Sequence, residues 1–199
     1  MFGLPKETEI GTQLPKKAIF AKFDIKPDRR NSFDADISKL VIANGLNANR
    51  LPIEEGCDIK SIFIVALTLK RKEYDANNII LLAKTIPQKI IFALIFDDEV
   101  RLAAFHTRLI VSKWGKTNDV KLAIKGNDLD RAWENFIIEI GSINVKNGNT
   151  LEKQIADDIE REKLLKLITV LERKARNEIQ PARKLEMFEE IKRLKHILR

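Results

Sequence analysis

Cysteine occurs once, at Cys57, and histidine twice, at His106 and His196. One cysteine excludes an intrachain disulfide and any cysteine-rich zinc module, as expected of a protein kept in a reducing compartment. Two histidines, one near the middle of the chain and one near its end, give no metal-ligand spacing. There is no glycine-rich phosphate loop, no Gly-x-Ser-x-Gly and no His-Glu-x-x-His, so nucleotide hydrolases, esterases and zinc proteases of the common kinds lack their motifs. No apolar run reaches the roughly 20 residues that a membrane-spanning helix needs, and the first residues lack the apolar stretch of a secretory leader. The expectation is a cytoplasmic protein with no membrane partner, no cofactor and no metal site.

What the chain does contain is a large supply of apolar and charged residues. With 199 residues, 44% hydrophobic and 33% charged, it can bury one core and carry an appendage. The formal charge of +7 favours an anionic partner, although acidic residues are interleaved with the basic ones throughout. Residues 59–114 hold the densest β-prone sequence. The run from Lys60 to Leu69 is too continuous to be half-exposed and reads as a central strand covered on both faces. Asp75 can cap a helix carrying Ile79, Leu82, Ala83 and Ile86, which Pro87 ends. Lys89 to Phe96 reads as a second buried strand, Asp97-Asp98-Glu99 as a turn, and Val100 to Val111 as a third strand ending near Trp114. A crossover of this length suits a parallel step and the hairpin adds an antiparallel one, so the fold class is α+β with a mixed sheet covered by helices.

Around this unit, residues 1–15 read as an N-terminal arm and 16–142 as the α+β domain. Lys16 to Phe23 alternates in the manner of a strand, and Phe33, Ile37, Leu40, Val41 and Asn44 share one helical face that Gly45 can end. An edge strand is expected around Val120, Leu122 and Ile124. Leu129, Ala132, Trp133, Phe136, Ile137 and Ile140 mark the clearest helix, with Asp128 at its start and Gly141 at its end. Residues 143–150 have the composition of a linker. Residues 151–199 contain no glycine and read as a long, coiled-coil-like helical tail, kinked or broken near Pro181 because proline costs about 3 kcal/mol in a helix interior. The tail's apolar seam has to fold back, pair within itself or bind another chain, so Leu164, Ile168, Leu171, Ala175, Leu185, Phe188, Ile191 and Leu194 are candidate partner-binding residues. Joining two copies of the chain is one use such a tail could serve.

Candidate nucleic-acid contacts are Lys70, Arg71 and Lys72 after the central strand, where ligands of open sheets often sit, and Trp114 beside Lys113, placed to stack a base. Lys22 extends the patch if its strand is a neighbour. His106 and Arg108 add an imidazole and a cation. The plainer readings are a charged strand end for the lysines, a core-edge cap for Trp114 and a structural role for a lone histidine. Cys57 reads as a small buried residue. No catalytic set is assigned. The alternative is a metal-dependent nuclease of the restriction type, with Asp28 and Asp58 holding Mg²⁺ and Lys60 positioning water, although a whole helix separates Asp28 from the other two.

Four stretches together resemble a known family. They are residues 14–23, the Phe33-Asp34-Ala35-Asp36-Ile37-Ser38 stretch, Leu69-Lys70-Arg71-Lys72-Glu73-Tyr74-Asp75 through Asn78-Ile79, and Phe105-His106-Thr107-Arg108-Leu109-Ile110. The family is an uncharacterised bacterial domain of about this length that ends in a similar charged helical tail. Its genes are found beside helicases and site-specific DNA methyltransferases, in restriction-like or antiphage clusters. The resemblance implies a partner and a process, and supplies no catalytic residues. The resulting expectation is a non-catalytic accessory or adaptor subunit of a DNA-processing or defence assembly, with a helicase or DNA methyltransferase as its larger partner and DNA as a further one.

Overall fold

The computed structural model describes residues 2–198, which separate into two compact units, Met1–Asn144 and Val145–Arg199. The first unit is built on a seven-stranded mixed sheet. Its centre is the antiparallel pair β2 (Ile37–Leu46) and β3 (Ile62–Leu69), followed by the crossover helix α3 (Ala76–Thr85) into β4 (Lys89–Phe96), which runs parallel to β3. A tight turn at Asp97 (φ 51°) leads to β5 (Glu99–Phe105), antiparallel to β4. Asp75 caps α3 by accepting the Asn77 N–H at 2.9 Å, as its position before an apolar helical run implies.

Strand alternation sorts the layers. Val65, Leu67, Phe92, Leu94 and Ala103 share a core with Ile79 and Leu82 of α3, and with Ile19, Phe20 and Phe33 from two earlier helices, α1 (Lys16–Lys22) and α2 (Pro27–Asp36). Ala104, next along β5, therefore points to the other face, as does its partner Ile110 on β6 (Leu109–Val111). Helix α4 (Leu129–Gly141) lies there, close enough that a Cβ on Gly141 would meet Ile110 Cγ2 at 2.8 Å. The sheet is thus covered on both sides, which is why β3 and β4 read as continuous apolar runs.

Four expected elements differ. Lys16 to Phe23 is helical: Ile19 and Phe20 are neighbours in sequence yet both are buried, which a strand with one covered face does not allow. The helix expected over Phe33 to Asn44 starts earlier, with Pro27 in its first turn, and stops at Asp36, after which Ile37–Leu46 pairs along β3. Register shifts between Ile37 and Lys39 and between Ile42 and Asn44 break its two-residue alternation, so its apolar spacing imitates a helix. Val100 to Val111 is two strands, because the His106 N–H bonds Arg108 O at 3.1 Å and turns the chain at residues 106–108. Residues 120–124 form no strand. Leu122 is buried there, and its N–H reaches Phe2 O at 2.9 Å.

The segment expected as an arm enters the sheet. β1 (Glu9–Gln13) pairs with β2, and the buried Asn44 donates to Thr8 Oγ1 at 2.8 Å. At the opposite edge, β7 (Gly115–Lys116) continues alongside β5 beyond β6.

The second unit is a helical hairpin. α5 (Leu151–Asn177) and α6 (Pro181–Ile197) are separated at Pro181, which occupies the first turn of α6, where its missing N–H costs nothing. Glu178 Oε1 accepts the N–H groups of Ile179 and Gln180, each at 2.9 Å, in the connection. The Gln180 N–H first, and the Ile179 N–H beside it, hold the Glu178 carboxyl below its ordinary value. Ile168, Ala175, Ile191 and Leu194 form the buried seam, with Leu164, Leu171, Met187 and Leu198 packed against it.

Candidate functional site

Lys70, Arg71 and Lys72 follow β3 at the carboxyl end of the parallel pair, and a buried carboxylate fixes their loop. Asp36 is fully buried, yet three groups from later in the chain converge on it. Arg71 Nε donates to Oδ1 at 2.7 Å, while the Asp75 N–H and Asn78 Nδ2 donate to Oδ2 at 2.8 and 2.9 Å. The Asp36 carbonyl accepts the Lys70 N–H at 2.7 Å. Burial alone would raise this carboxyl. The Asp75 N–H, the Arg71 guanidinium and the Asn78 amide together outweigh it and hold the group below the ordinary carboxylate value. One side chain therefore ties the α2–β2 junction to the β3–α3 loop.

That loop forms one wall of an open groove of about 630 Å³, between the start of α3 and the outer edge of the sheet. Tyr74 and Ile80 line one side, Val111 and Trp114 the other, with Arg101 of β5 and Lys72 among the lining residues. Lys72 Nζ lies 5.3 Å and the Arg101 guanidinium 5.4 Å from the centre of the Trp114 ring. Lys72 also pairs with Glu99, and Arg101 Nε donates to Ser112 O at 2.9 Å. Sequence reasoning missed Arg101 and Tyr74. Arg101 faces the helices only because β5 keeps strict alternation with the buried Val100 and Leu102, a signal that was present but unusable without the sheet order.

The other nucleic-acid candidates are not gathered here. Lys113 adjoins Trp114 in sequence, but His106 and Arg108 occupy the β5–β6 turn, where Phe105 pairs with Leu109 and Ala104 with Ile91. That is the end of the sheet where β3 begins, roughly 20 Å from Lys70 at about 3.3 Å per residue. Lys22 ends α1, its ammonium 5.5 Å from the Phe23 ring. Lys16, at the other end of that helix, pairs with Asp34 and donates to Ile37 O at 2.9 Å, so the first helix presents Lys16 rather than Lys22 towards the Asp36 junction.

The residues of the nuclease alternative are also dispersed. Asp28 is in the first turn of α2, whereas Asp58 and Lys60 precede β3. Lys60 Nζ donates to Gly56 O at 2.8 Å and pairs with Glu55 at 3.3 Å. The backbone around them is wrapped on Asp130 of α4, whose carboxylate accepts N–H groups from Cys57 at 2.6 Å, Asp58 at 3.3 Å and Ile59 at 2.9 Å. Cys57 itself is exposed, contrary to the buried placement expected, because this clamp holds its backbone on the surface. Among the described residues, no group of three or more His, Cys, Asp or Glu side chains is placed to hold a metal ion.

On the tail, the partner-binding candidates divide into two sets. Ile168, Ala175, Ile191 and Leu194 are buried against one another, with Leu164 and Leu171 partly buried beside them. They are not an exposed seam, because α6 packs its own apolar face, Ile191 and Leu194, against that of α5. Leu185 and Phe188 stay 61% and 49% exposed, joined by Leu165, Leu167, Val170 and Ile179, which were not singled out from sequence.

A mixed sheet with a parallel crossover, covered by helices and accompanied by a helical hairpin, places the molecule among α+β proteins. The profile of a domain of unknown function, DUF4391, matches residues 2–198, and the chain belongs to that family. No curated protein and no solved structure matches it. Among the described residues, no helix is long and apolar enough to cross a membrane.

Proposed function

We propose that this protein is a non-catalytic accessory subunit of a bacterial DNA-processing or antiphage assembly of the restriction type. In this reading it works in the cytoplasm, docks a helicase or DNA methyltransferase through the helical hairpin, and holds nucleic acid at the edge formed by Lys70, Arg71, Lys72 and Trp114. The observation that carries the reading is the apolar surface of the hairpin. Its internal seam is already satisfied, yet Leu165, Leu167, Val170, Ile179, Leu185 and Phe188 remain exposed, and large apolar side chains left open to water on a helix pair are available to a partner chain. The basic balance and the resemblance to a family encoded beside helicases and methyltransferases support the same choice of partners.

The test is co-expression of the full chain with a helicase and with a DNA methyltransferase from the kind of gene cluster that the resemblance implies, followed by purification and light scattering. One of the two should co-purify at fixed stoichiometry, and Phe188→Asp together with Leu185→Asp should abolish the complex while leaving helix content unchanged. A chain that forms only homodimers, broken by the same substitutions, would assign the surface to self-association. Incubation of the same samples with DNA and Mg²⁺ addresses catalysis. Cleavage lost on Asp58→Ala would replace the accessory reading with the nuclease one.

A further inference from the structure

We infer that the groove beside Trp114 takes an unpaired stretch of nucleic acid, with one base stacked on the Trp114 ring and its phosphates on Arg101 and Lys72. The inference rests on the nucleic-acid part of the proposed function and narrows it from DNA in general to single strands. Three observations carry it. The groove is mostly apolar in its walls, with Ile80 and Val111 facing across it and two aromatic residues, Tyr74 and Trp114, of different elements. Its volume of about 630 Å³ falls within the range of roughly 300–1,000 Å³ typical of pockets that enclose a small organic ligand, enough for a nucleotide. Its cations stand at the aromatic ring itself rather than in a row along a convex surface.

This combination selects among nucleic acids. A base in a duplex has both faces covered by its neighbours and its edge paired, so it cannot enter a recess of this kind without being extruded. An unpaired base offers a free face to an aromatic ring, and stacking of that kind tolerates any sequence. Arg101 is suited to the adjoining phosphate because its Nε is committed to Ser112 O at 2.9 Å, which fixes the plane of the guanidinium and leaves both Nη groups for a ligand. Lys70 and Arg71, in the same loop as Lys72, are committed to Asp34 O and to the Asp36 carboxylate, so the charge offered to a ligand in the groove comes from Arg101 and Lys72. Glu73 is the only acid among the lining residues, and a phosphate takes Lys72 in exchange for its pairing with Glu99.

The chain has two tryptophans, and this supplies the assay. Trp133 is 2% exposed in the core, whereas Trp114 lines the groove. Titrating the full chain with a short oligothymidine should quench tryptophan fluorescence through Trp114. Anisotropy with the same labelled oligonucleotide should give tighter binding than with a duplex of equal length or with thymidine monophosphate. Trp114→Leu, which keeps apolar bulk and removes the ring, should weaken binding by about fivefold to a hundredfold, the loss expected for one stacked base. Trp114→Phe should retain most of the affinity and lose the quenching, and Arg101→Gln should reduce the dependence of binding on salt. Circular dichroism of each variant confirms the fold. Equal binding of single strand and duplex, unaffected by Trp114→Leu and without quenching, would overturn this inference and leave nucleic-acid binding intact. Monophosphate binding as tight as that of the oligonucleotide would overturn it in favour of a free-nucleotide site. Binding of none of the three probes would remove the nucleic-acid part of the proposed function as well.

Discussion

Replacing Asp36 by alanine removes the acceptor of three converging donors, and the consequence can be worked out donor by donor. The Asp75 N–H loses its partner at the cap of α3. Asn78 Nδ2 keeps a contact with Ser32 Oγ, at 3.3 Å, and is only partly compensated. Arg71 is relieved most easily, because its side chain is 60% exposed and can turn to water. Breaking a buried charge pair costs about 3–5 kcal/mol when the surviving charge is trapped. Here it is not trapped, so one orphaned and one weakened donor set a loss of about 3 kcal/mol. Both tryptophans lie in the sheet unit, so urea unfolding followed by their fluorescence reports that unit without the tail. The midpoint should fall by about 1–2 M urea for a slope of about 1.5–3 kcal/mol per molar. Asp36→Asn should cost about 2 kcal/mol, since its amide NH₂ must oppose one of the donors. The pH dependence has a definite sign. The folded carboxyl titrates below its ordinary value of 3.8, so its contribution is fully present above that value and is lost as pH falls through the lower folded value. Wild type and Asp36→Asn should therefore converge in stability as pH drops below 3.8. A loss under about 1 kcal/mol at neutral pH, the size of a single ordinary hydrogen bond, would refute Asp36 as the tie between these elements.

Asp130→Ala should cost about 1–3 kcal/mol and speed hydrogen exchange at Cys57, Asp58 and Ile59, with Ile59 changing most because it alone is buried. Gly56→Ala should produce the same exchange pattern, because the added Cβ would sit 2.2 Å from Asp130 Oδ1 and displace the clamp. Ala175→Leu should destabilise the helical hairpin by about 1–3 kcal/mol through overpacking of a fully buried position, read as faster exchange across α5 and α6 without change in tryptophan fluorescence. Raising salt should leave the Ala175→Leu effect unchanged while weakening the exposed Lys195–Glu172 pair, which separates packing from charge in the same hairpin.

Elements whose periodicity and caps agreed were legible in the sequence. α3 had Asp75 before it and Pro87 after it, α4 had Asp128 and a full apolar stripe, and β3 and β4 were apolar throughout because both faces are covered. An interruption near Pro181 followed from proline chemistry, which left a kink and a break both open; the structure has the break. β2 was not legible, since two irregularities in its pairing gave it a helical spacing, and only the partner strand decides between the two. Lys16 to Phe23 failed for the converse reason: a seven-residue helix offers fewer than two turns of pattern, too few to compete with a chance alternation. At the candidate site, the lysine-arginine cluster and Trp114 could be found from composition and place. Arg101 and Tyr74 could not, because what brings them together is the order β3-β4-β5. Asp36 fell within a stretch whose apolar spacing reads as helical, where an acid draws no attention. Its role as a buried acceptor depends on partners from 35 to 42 residues away.

Both margins of the sheet are interrupted. β1 loses register between Glu9 and Thr12, with Gly11 at φ +68° inside it, while the opposite margin is divided into a strand of three residues and one of two. A row of free amides and carbonyls long enough to recruit another strand is therefore missing from either side. Copies of the chain crowded together during synthesis have no template for lateral growth, so the sheet can be rich in valine, isoleucine and phenylalanine without nucleating fibrils. Contacts with other molecules are left to helices and grooves, where side chains rather than backbone decide what binds.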